Sequence, residues 1–237
     1  MSKLYGEHAV TALLGSSHAV DACIYIESSK QTAYQSILKQ ARSQHTDVKI
    51  IPSLNDLFPK ARHQGIGATF QFQFGSLQQL DFASPLRLLM LDRIQDPHNF
   101  GACMRSAAAF GVDAVITPQR GQAPINEIVH QVSCGGSLIV PIIQVNNLSQ
   151  TISELKDQRV WFIASCERAD QEISDIAKDS SLCLVMGSEG EGLKQKLFEA
   201  CDYRVSIKTS PKLPTLNVSV ATGILLHELA NARHTVL

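Results

Sequence analysis

Asn99 and Arg105 stand six positions apart in the segment Asp96-Pro97-His98-Asn99-Phe100-Gly101-Ala102-Cys103-Met104-Arg105-Ser106. The segment reads as the start of a helix. Six positions at about 100° per residue make about 600° of rotation, so the two side chains do not share a stripe. Asn99 then sits at the mouth of the helix and Arg105 nearly two turns in. Arg105 interrupts the small residues Ala102, Ala107, Ala108 and Ala109. An arginine on a closely packed helix needs an anionic partner. That partner is either an acid such as Glu189 or a phosphate, whose geometry the guanidinium fork suits. His98 reads as a loop histidine rather than a catalyst.

A second island, Gly187-Ser188-Glu189-Gly190-Glu191-Gly192-Leu193, joins an apolar run to a following helix. It is not a Walker loop, because Gly192 is followed by Leu193 and not by Lys-Ser or Lys-Thr. It is not a dinucleotide fingerprint either, since the order is G-x-x-G-x-G near the C-terminus. What remains is open backbone that could approach an adenine or a ribose, with Glu189 projecting from it, or else a plain glycine-rich turn. A third island, Leu216-Asn217-Val218-Ser219-Val220-Ala221-Thr222-Gly223, opens the last apolar run. Asn217 could be an N-cap there. That does not account for Thr215 and Asn217 flanking Leu216 after a loop with two prolines.

The elements that must position these islands alternate. In the first seventy residues, 6–15 read as a helix closed by Gly15, 22–26 as a strand, 31–44 as an amphipathic helix and 48–51 as a strand. A short helix capped by Ser53 and ended before Pro59, then a strand within 64–70, complete a compact α/β unit. Residues 72–84 have the Gln, Ser and Gly content of a linker. Beyond it, 86–91 reads as a strand buried on both faces. A helix from 99 to 110 and a strand at 112–116 follow. Next come a helix at 126–132, a strand at 137–145, a helix at 149–156, strands at 160–165 and 182–186, a helix at 193–200, a strand at 203–207 and a helix from 217 to 233. Such alternation predicts an α/β fold with a mostly parallel, doubly wound sheet. The expected domains are 1–71, a linker at 72–84, and 85–237.

Composition sets limits. The chain has 237 residues, 44% of them hydrophobic, and a net charge of −1. No strong global field draws it onto nucleic acid. Contacts with RNA would need local clusters such as Lys39/Arg42, Lys60/Arg62/His63 or Lys208/Lys212, each of which could equally be a solvated face. The six cysteines (Cys23, Cys103, Cys134, Cys166, Cys183 and Cys201) form no C-x-x-C pair and mostly flank apolar runs. They read as small buried hydrophobes in a reducing compartment, with neither a disulfide framework nor a metal site expected. Met1–Tyr5 lacks a signal h-region, and no apolar stretch reaches the ~20 residues needed to span a bilayer. A cytoplasmic protein without membrane contact is expected.

The three islands, in this order and spacing, resemble the motifs of the SpoU (TrmH-like) branch of the SPOUT RNA methyltransferases, over residues 85–237. Leu4-Tyr5-Gly6-Glu7-His8-Ala9-Val10 and His63-Gln64-Gly65-Ile66 resemble the start and end of the family's small N-terminal α/β RNA-binding domain. The resemblance implies a C-terminal deep trefoil knot that binds S-adenosylmethionine, and a homodimer in which both subunits approach one active site. The implied activity is 2′-O-ribose methylation of structured RNA, first a guanosine in 23S rRNA. The alternatives are tRNA and a non-catalytic RNA-binding homologue. It places Gly187, Ile207 and Leu216 at the cofactor, and Asn99, Arg105, Glu189, Thr215 and Asn217 at catalytic or substrate-positioning posts. The third motif departs from the usual pattern. Ile207-Lys208-Thr209-Ser210-Pro211 stands where the family has Ile-Pro-Met with glycine two positions later, and Thr215 stands where it has serine.

Overall fold

The computed structural model describes residues 1–230, apart from Lys60, Arg168, Asp170, Lys178 and Glu189. The first elements are β1 (Ser2–Tyr5), α1 (Glu7–Leu14), β2 (Ala19–Glu27), α2 (Gln35–Ser43), β3 (Asp47–Ile51) and β4 (Ile66–Phe72). Their strands form one sheet in the order β1-β4-β2-β3. β4 is antiparallel to both neighbours, and β2 is parallel to β3. The apolar stripe of α2 (Ile37, Leu38, Ala41) and that of α1 (Val10, Leu13) cover Ile24, Ile26, Ala68 and Phe70. α1 ends where expected, its last turn closed by the Gly15 N–H on the Ala12 carbonyl at 3.2 Å.

Two readings of this part are corrected, and one strand, β1, has no counterpart in the sequence reading. β1 has one buried residue in four, too few to show a period. The expected helix over 31–44 begins only at Gln35, after a 3-10 turn at Ser28–Lys30. The segment from Ser53 to Phe58 is a turn rather than a helix. Ser53 Oγ accepts from Asn55 N at 3.2 Å and Glu27 Oε1 from Leu54 N at 2.9 Å. These bonds take up N–H groups that a helix starting here would leave unpaired, and Phe58 N donates to the Leu54 carbonyl at 2.9 Å, so the chain makes a single turn before Pro59 ends it.

The second sheet contains β5 (Arg87–Leu91), β6 (Ala114–Pro118), β7 (Ile142–Val145), β8 (Val160–Ser165), β9 (Ser181–Met186) and β10 (Tyr203–Val205). Between them run α3 (Pro97–Ala109), α4 (Glu127–Val132), α5 (Gly136–Ile139), α6 (Leu148–Asp157) and α7 (Gln195–Ala200), and α8 (Val218–Ala230) follows. All its pairings are parallel, in the order β10-β8-β9-β5-β6-β7. Alternate residues of β5 and β9 enter two different cores. Leu89, Leu91, Leu184 and Met186 meet α3 and α8 on one face. Leu88, Met90, Cys183 and Val185 meet α6 and α7 on the other. That two-sided burial is why these strands read as continuous apolar runs.

The run expected as a strand over 137–145 is split into α5 and β7. Gly135 turns the chain at φ +91°, and its Hα face lies against α1, where an added Cβ would sit 2.5 Å from Ala12 Cβ. A short apolar run cannot by itself separate a strand from a buried helical turn. The linker is not slack. Gly75 N donates to the Ile142 carbonyl at 2.9 Å, so the linker backbone covers the outer edge of β7. The segment then makes a 3-10 turn at Leu77–Gln79, with Ser76 and Gln79 forming a capping box.

The two sheets meet along a seam. Ser16 Oγ donates to the Leu138 carbonyl at 2.6 Å. His130 is 0% exposed and lies 5.1 and 5.4 Å from the rings of Phe70 and Phe72. Its Nδ1 is 2.9 Å from Ser137 Oγ, and Ser133 Oγ donates to the same hydroxyl at 3.1 Å. Burial pushes the His130 pKa down to about 4. The cysteines are less uniform than expected: Cys103, Cys183 and Cys201 are buried, whereas Cys134 is exposed, carried at φ +51° on the turn into α5. Among the described residues no group could hold a metal ion, and no helix is long and apolar enough to cross a membrane.

Candidate active site

β5, β6 and β7 run outward in one direction, after which the chain returns to lay β9 and β8 on the other side of β5. The strand order therefore reverses beside β5, where open α/β sheets bind ligands beyond the carboxyl ends of their strands. A cleft of about 810 Å³ opens there. Ser165, Cys166 and Glu167 line it from the end of β8, Met186 and Gly187 from β9, and Ile207 from the segment after β10.

Gly187 permits the tight loop that follows β9. A Cβ on it would overlap the Gly192 carbonyl and Leu193 N. The loop closes with Gly192 N donating to the Ser188 carbonyl at 3.0 Å. Gly190 and Gly192 take φ +86° and +66°, which favour residues without a side chain. Glu189, expected at a post on this loop, lies outside the described residues.

The third island enters from the opposite wall, with Thr215, Leu216, Asn217 and Val218 lining the cleft. Its departing sequence is braced by its own side chains. Thr209 Oγ1 donates to the Pro214 carbonyl at 2.9 Å, and Leu213 N to the Ser210 carbonyl at 3.0 Å. Lys208 pairs with Glu172, which holds the lysine above its ordinary pKa.

Asn217 is the expected cap of α8 and also reaches across to the first island. Its Oδ1 accepts from Ser219 N at 2.8 Å and from Val220 N at 3.4 Å, which caps α8. Its Nδ2 donates to Asn99 Oδ1 at 2.9 Å. Asn99 is 8% exposed in the first turn of α3. That helix starts at Pro97, two residues earlier than expected, with Asp96 Oδ1 accepting from His98 N at 2.9 Å. The Asn99–Asn217 bond thus ties the first island to the third.

Arg105 stands apart from the cleft. It is exposed, and its side chain makes no hydrogen bond or ion pair with any described residue. A salt bridge within the described fold is therefore excluded, and the guanidinium is free to meet an external anion. The structure brings Gly187, Ile207, Thr215, Leu216 and Asn217 together in one cleft and joins Asn99 to it through Asn217, but does not bring Arg105 into it. Sequence reasoning passed over Ser165, Cys166 and Glu167, although the strand-end rule applied to β8 would have found them.

Residues 86–227 match the SpoU rRNA Methylase family, and residues 3–73 match the family described as RNA 2′-O ribose methyltransferase substrate binding. The chain is 34% identical over 246 residues to the 23S rRNA (guanosine-2′-O-)-methyltransferase RlmB of Coxiella burnetii, covering 98% of this chain and 96% of that one. It is also 34% identical over 238 residues, with 98% and 96% covered, to a Staphylococcus epidermidis protein assigned to the TrmH family of tRNA/rRNA methyltransferases. Among solved structures, the SpoU methyltransferase AviRb of Streptomyces viridochromogenes in complex with AdoMet superposes with a TM-score of 0.82. It covers 98% of this chain and 90% of that chain at 19% identity, a likeness of fold alone.

Proposed function

Because the chain belongs to the SpoU rRNA methylase family and is an RNA methyltransferase, we propose that it methylates the ribose 2′-hydroxyl of a guanosine in 23S rRNA, using S-adenosylmethionine. The observation that carries this reading is the cleft itself. Its walls join backbone of Gly187 to the apolar side chains of Ile207, Leu216 and Met186, with polar groups from Thr215 and Asn217 at one side. Such a mixture suits a nucleoside with an aliphatic tail, and about 810 Å³ lies within the range of small-molecule sites. When bound there, the cofactor supplies a methyl group already activated by its sulfonium.

The residues then have to orient and hold. Gly187, Ile207 and Leu216 form the cofactor walls. Asn99 fixes the Asn217 amide, so that the island carrying Thr215 and Asn217 keeps one orientation. Glu189 takes a substrate-positioning post on the loop after β9. In-line alignment of hydroxyl and methyl group accounts for much of the rate. Arg105 is always charged, so it steadies the ribose hydroxyl or the neighbouring phosphate rather than taking up the proton itself.

This reading includes a homodimer. Val220 and Ile224 are 50% and 39% exposed at i and i+4 on α8, an apolar stripe left uncovered on the helix that carries Asn217 at its start. A two-fold contact through α8 would let Arg105 of one protomer serve the cleft of its partner. It also includes the family's deep trefoil knot, an RNA-binding unit at 1–71 joined through 72–84 to the catalytic unit at 85–237, and a cytoplasmic site of action. The test is a map of ribose methylation on rRNA and tRNA from cells lacking the gene. Loss of one 2′-O-methylguanosine from 23S rRNA supports the reading. Loss from tRNA instead favours the tRNA reading, and no loss favours a non-catalytic RNA-binding homologue.

A further inference from the structure

Arg93 follows β5 at φ +59°, a left-handed conformation that residues with side chains adopt only at a cost. Its side chain joins three loops at the carboxyl edge of the sheet. Nε donates to Asp92 Oδ1 and Oδ2 at 3.4 and 3.3 Å. Nη1 donates to Glu191 Oε2 at 2.6 Å, and Nη2 to the Gly192 carbonyl at 3.5 Å. Asp92 is 3% exposed, and its N–H donates to the Met186 carbonyl at 2.8 Å. One end of the guanidinium is therefore anchored to a buried carboxylate, and the other grips the loop after β9. The loop after β6 leaves room for the stem: a Cβ on Gly121, at φ +80°, would lie 3.3 Å from Arg93 Cγ.

The gripped loop needs an outside hold. Two left-handed glycines give it conformational freedom, and among its described residues its own closure is the Ser188–Gly192 pairing. Glu191 and Gly192 both line the cleft. An ordinary surface ion pair would contribute little. Here the Glu191 side chain is 77% exposed, but the Arg93 side chain is only 18% exposed and its fork is already held by Asp92, so less freedom is lost on holding the loop.

We propose that Arg93 is a positioning residue for cofactor binding: through Glu191 and the Gly192 carbonyl it latches the 188–192 loop in the shape that forms one wall of the cleft. The proposal rests on the reading of that cleft as the S-adenosylmethionine site. Arg93→Gly relieves the backbone strain but leaves the buried Asp92 carboxylate without this guanidinium, so its melting temperature should fall, whereas Glu191→Ala keeps the Arg93–Asp92 pair and should melt close to the wild type. Two measurements test the latch. In the protein alone, hydrogen exchange at the Gly192 amide should quicken in Arg93→Gly. In calorimetric titration with S-adenosylmethionine, affinity should fall about fivefold to tenfold, because binding must then also order the loop that Arg93 holds. KM for the cofactor should rise by far more than kcat falls. Glu191→Ala should reproduce the loss, and the double variant should be no worse than either single one. Arg93→Lys should fall between, since it keeps the charge without the fork. Unchanged exchange together with wild-type affinity in Arg93→Gly overturns the latch and leaves the cofactor reading standing. Faster exchange in a protein whose wild type takes up no S-adenosylmethionine supports the latch as a loop clamp and overturns the cofactor reading.

Discussion

At the seam between the sheets, His130, Ser133 and Ser137 are 0–2% exposed and bonded among themselves. Around the cleft, Glu191, Thr215 and Asn217 are exposed, and glycines stand where side chains would fill space. Buried polar groups at a seam fix how two packed units sit, and breaking their network carries the desolvation penalty of each orphaned group. Exposed polar groups held by loop bonds cost little to keep and remain available to a ligand. Seam substitutions should therefore change stability more than turnover, and substitutions among the exposed functional groups should do the reverse.

The largest expected effect is at Arg105. Arg105→Ala should lower single-turnover transfer by roughly a hundredfold or more, on the order of 3 kcal/mol, while cofactor affinity changes little. Because the side chain is exposed and unpaired within the described fold, the melting temperature should hardly move. Arg105→Lys should rescue poorly, since an ammonium lacks the planar fork. A destabilised variant with normal turnover would remove Arg105 from the reaction and break the comparison at its strongest point.

Next in size is the acid response of the seam. The folded-state pKa of His130, about 4, lies below the ordinary 6.5, so the unfolded chain takes up this proton first as pH falls. The contribution is fully present above pH 6.5 and is lost progressively between 6.5 and 4. At pH 5 the loss should be about 2 kcal/mol, at 1.36 kcal/mol per pKa unit. Denaturant unfolding of the wild type and of His130→Leu at pH 7.5 and 5.0 isolates it: the difference between the two proteins should shrink as pH falls. Parallel pH profiles would show that His130 is not buried neutral at the seam.

Asn217 sharpens the comparison, because one side chain serves both purposes. Asn217→Asp keeps an oxygen for the α8 cap but loses the donor to Asn99. Stability should change by less than about 1 kcal/mol, whereas Asn217→Ala should lose the full cap, about 1 kcal/mol. Turnover should fall in both. If Asn217→Asp turns over like the wild type, the Asn99 tie has no part in positioning. The smallest effect is expected from the triple change Lys208→Pro, Thr209→Met and Pro211→Gly, which restores the usual third motif. The change removes the solvent-exposed Lys208–Glu172 pair and the Thr209 Oγ1–Pro214 bond but leaves the backbone bond from Leu213 N to the Ser210 carbonyl, so calorimetry should show cofactor affinity unchanged or modestly tighter.

Much of this architecture is legible in the amino-acid sequence. β5 and β9 stand out because both of their faces are buried, which leaves a nearly unbroken apolar signature. α6 and α8 stand out by their apolar residues, and the three islands by their glycines and polar groups beside such runs. What escapes a sequence reading depends on neighbours distant in the chain. α5 arises where Gly135 and Gly136 pack against α1 and α3, and nothing within 137–145 announces that. The turn from Ser53 to Phe58 is tied down by Glu27, on another strand, through Leu54 N. Arg93 is invisible in the sequence because its meaning lies in Glu191, 98 positions along the chain. Asn217 is legible as a cap but not as the partner of Asn99, 118 positions away.

The central claim is that the cleft at the ends of β8, β9 and β10 serves methyl transfer to ribose. Its most direct test is a single-turnover assay with the full-length protein, methyl-labelled S-adenosylmethionine and unmodified 23S rRNA, followed by nucleoside analysis. The account predicts label in one 2′-O-methylguanosine, abolished by excess S-adenosylhomocysteine. Label on a base, or no label from a protein that binds both RNA and cofactor, would contradict it.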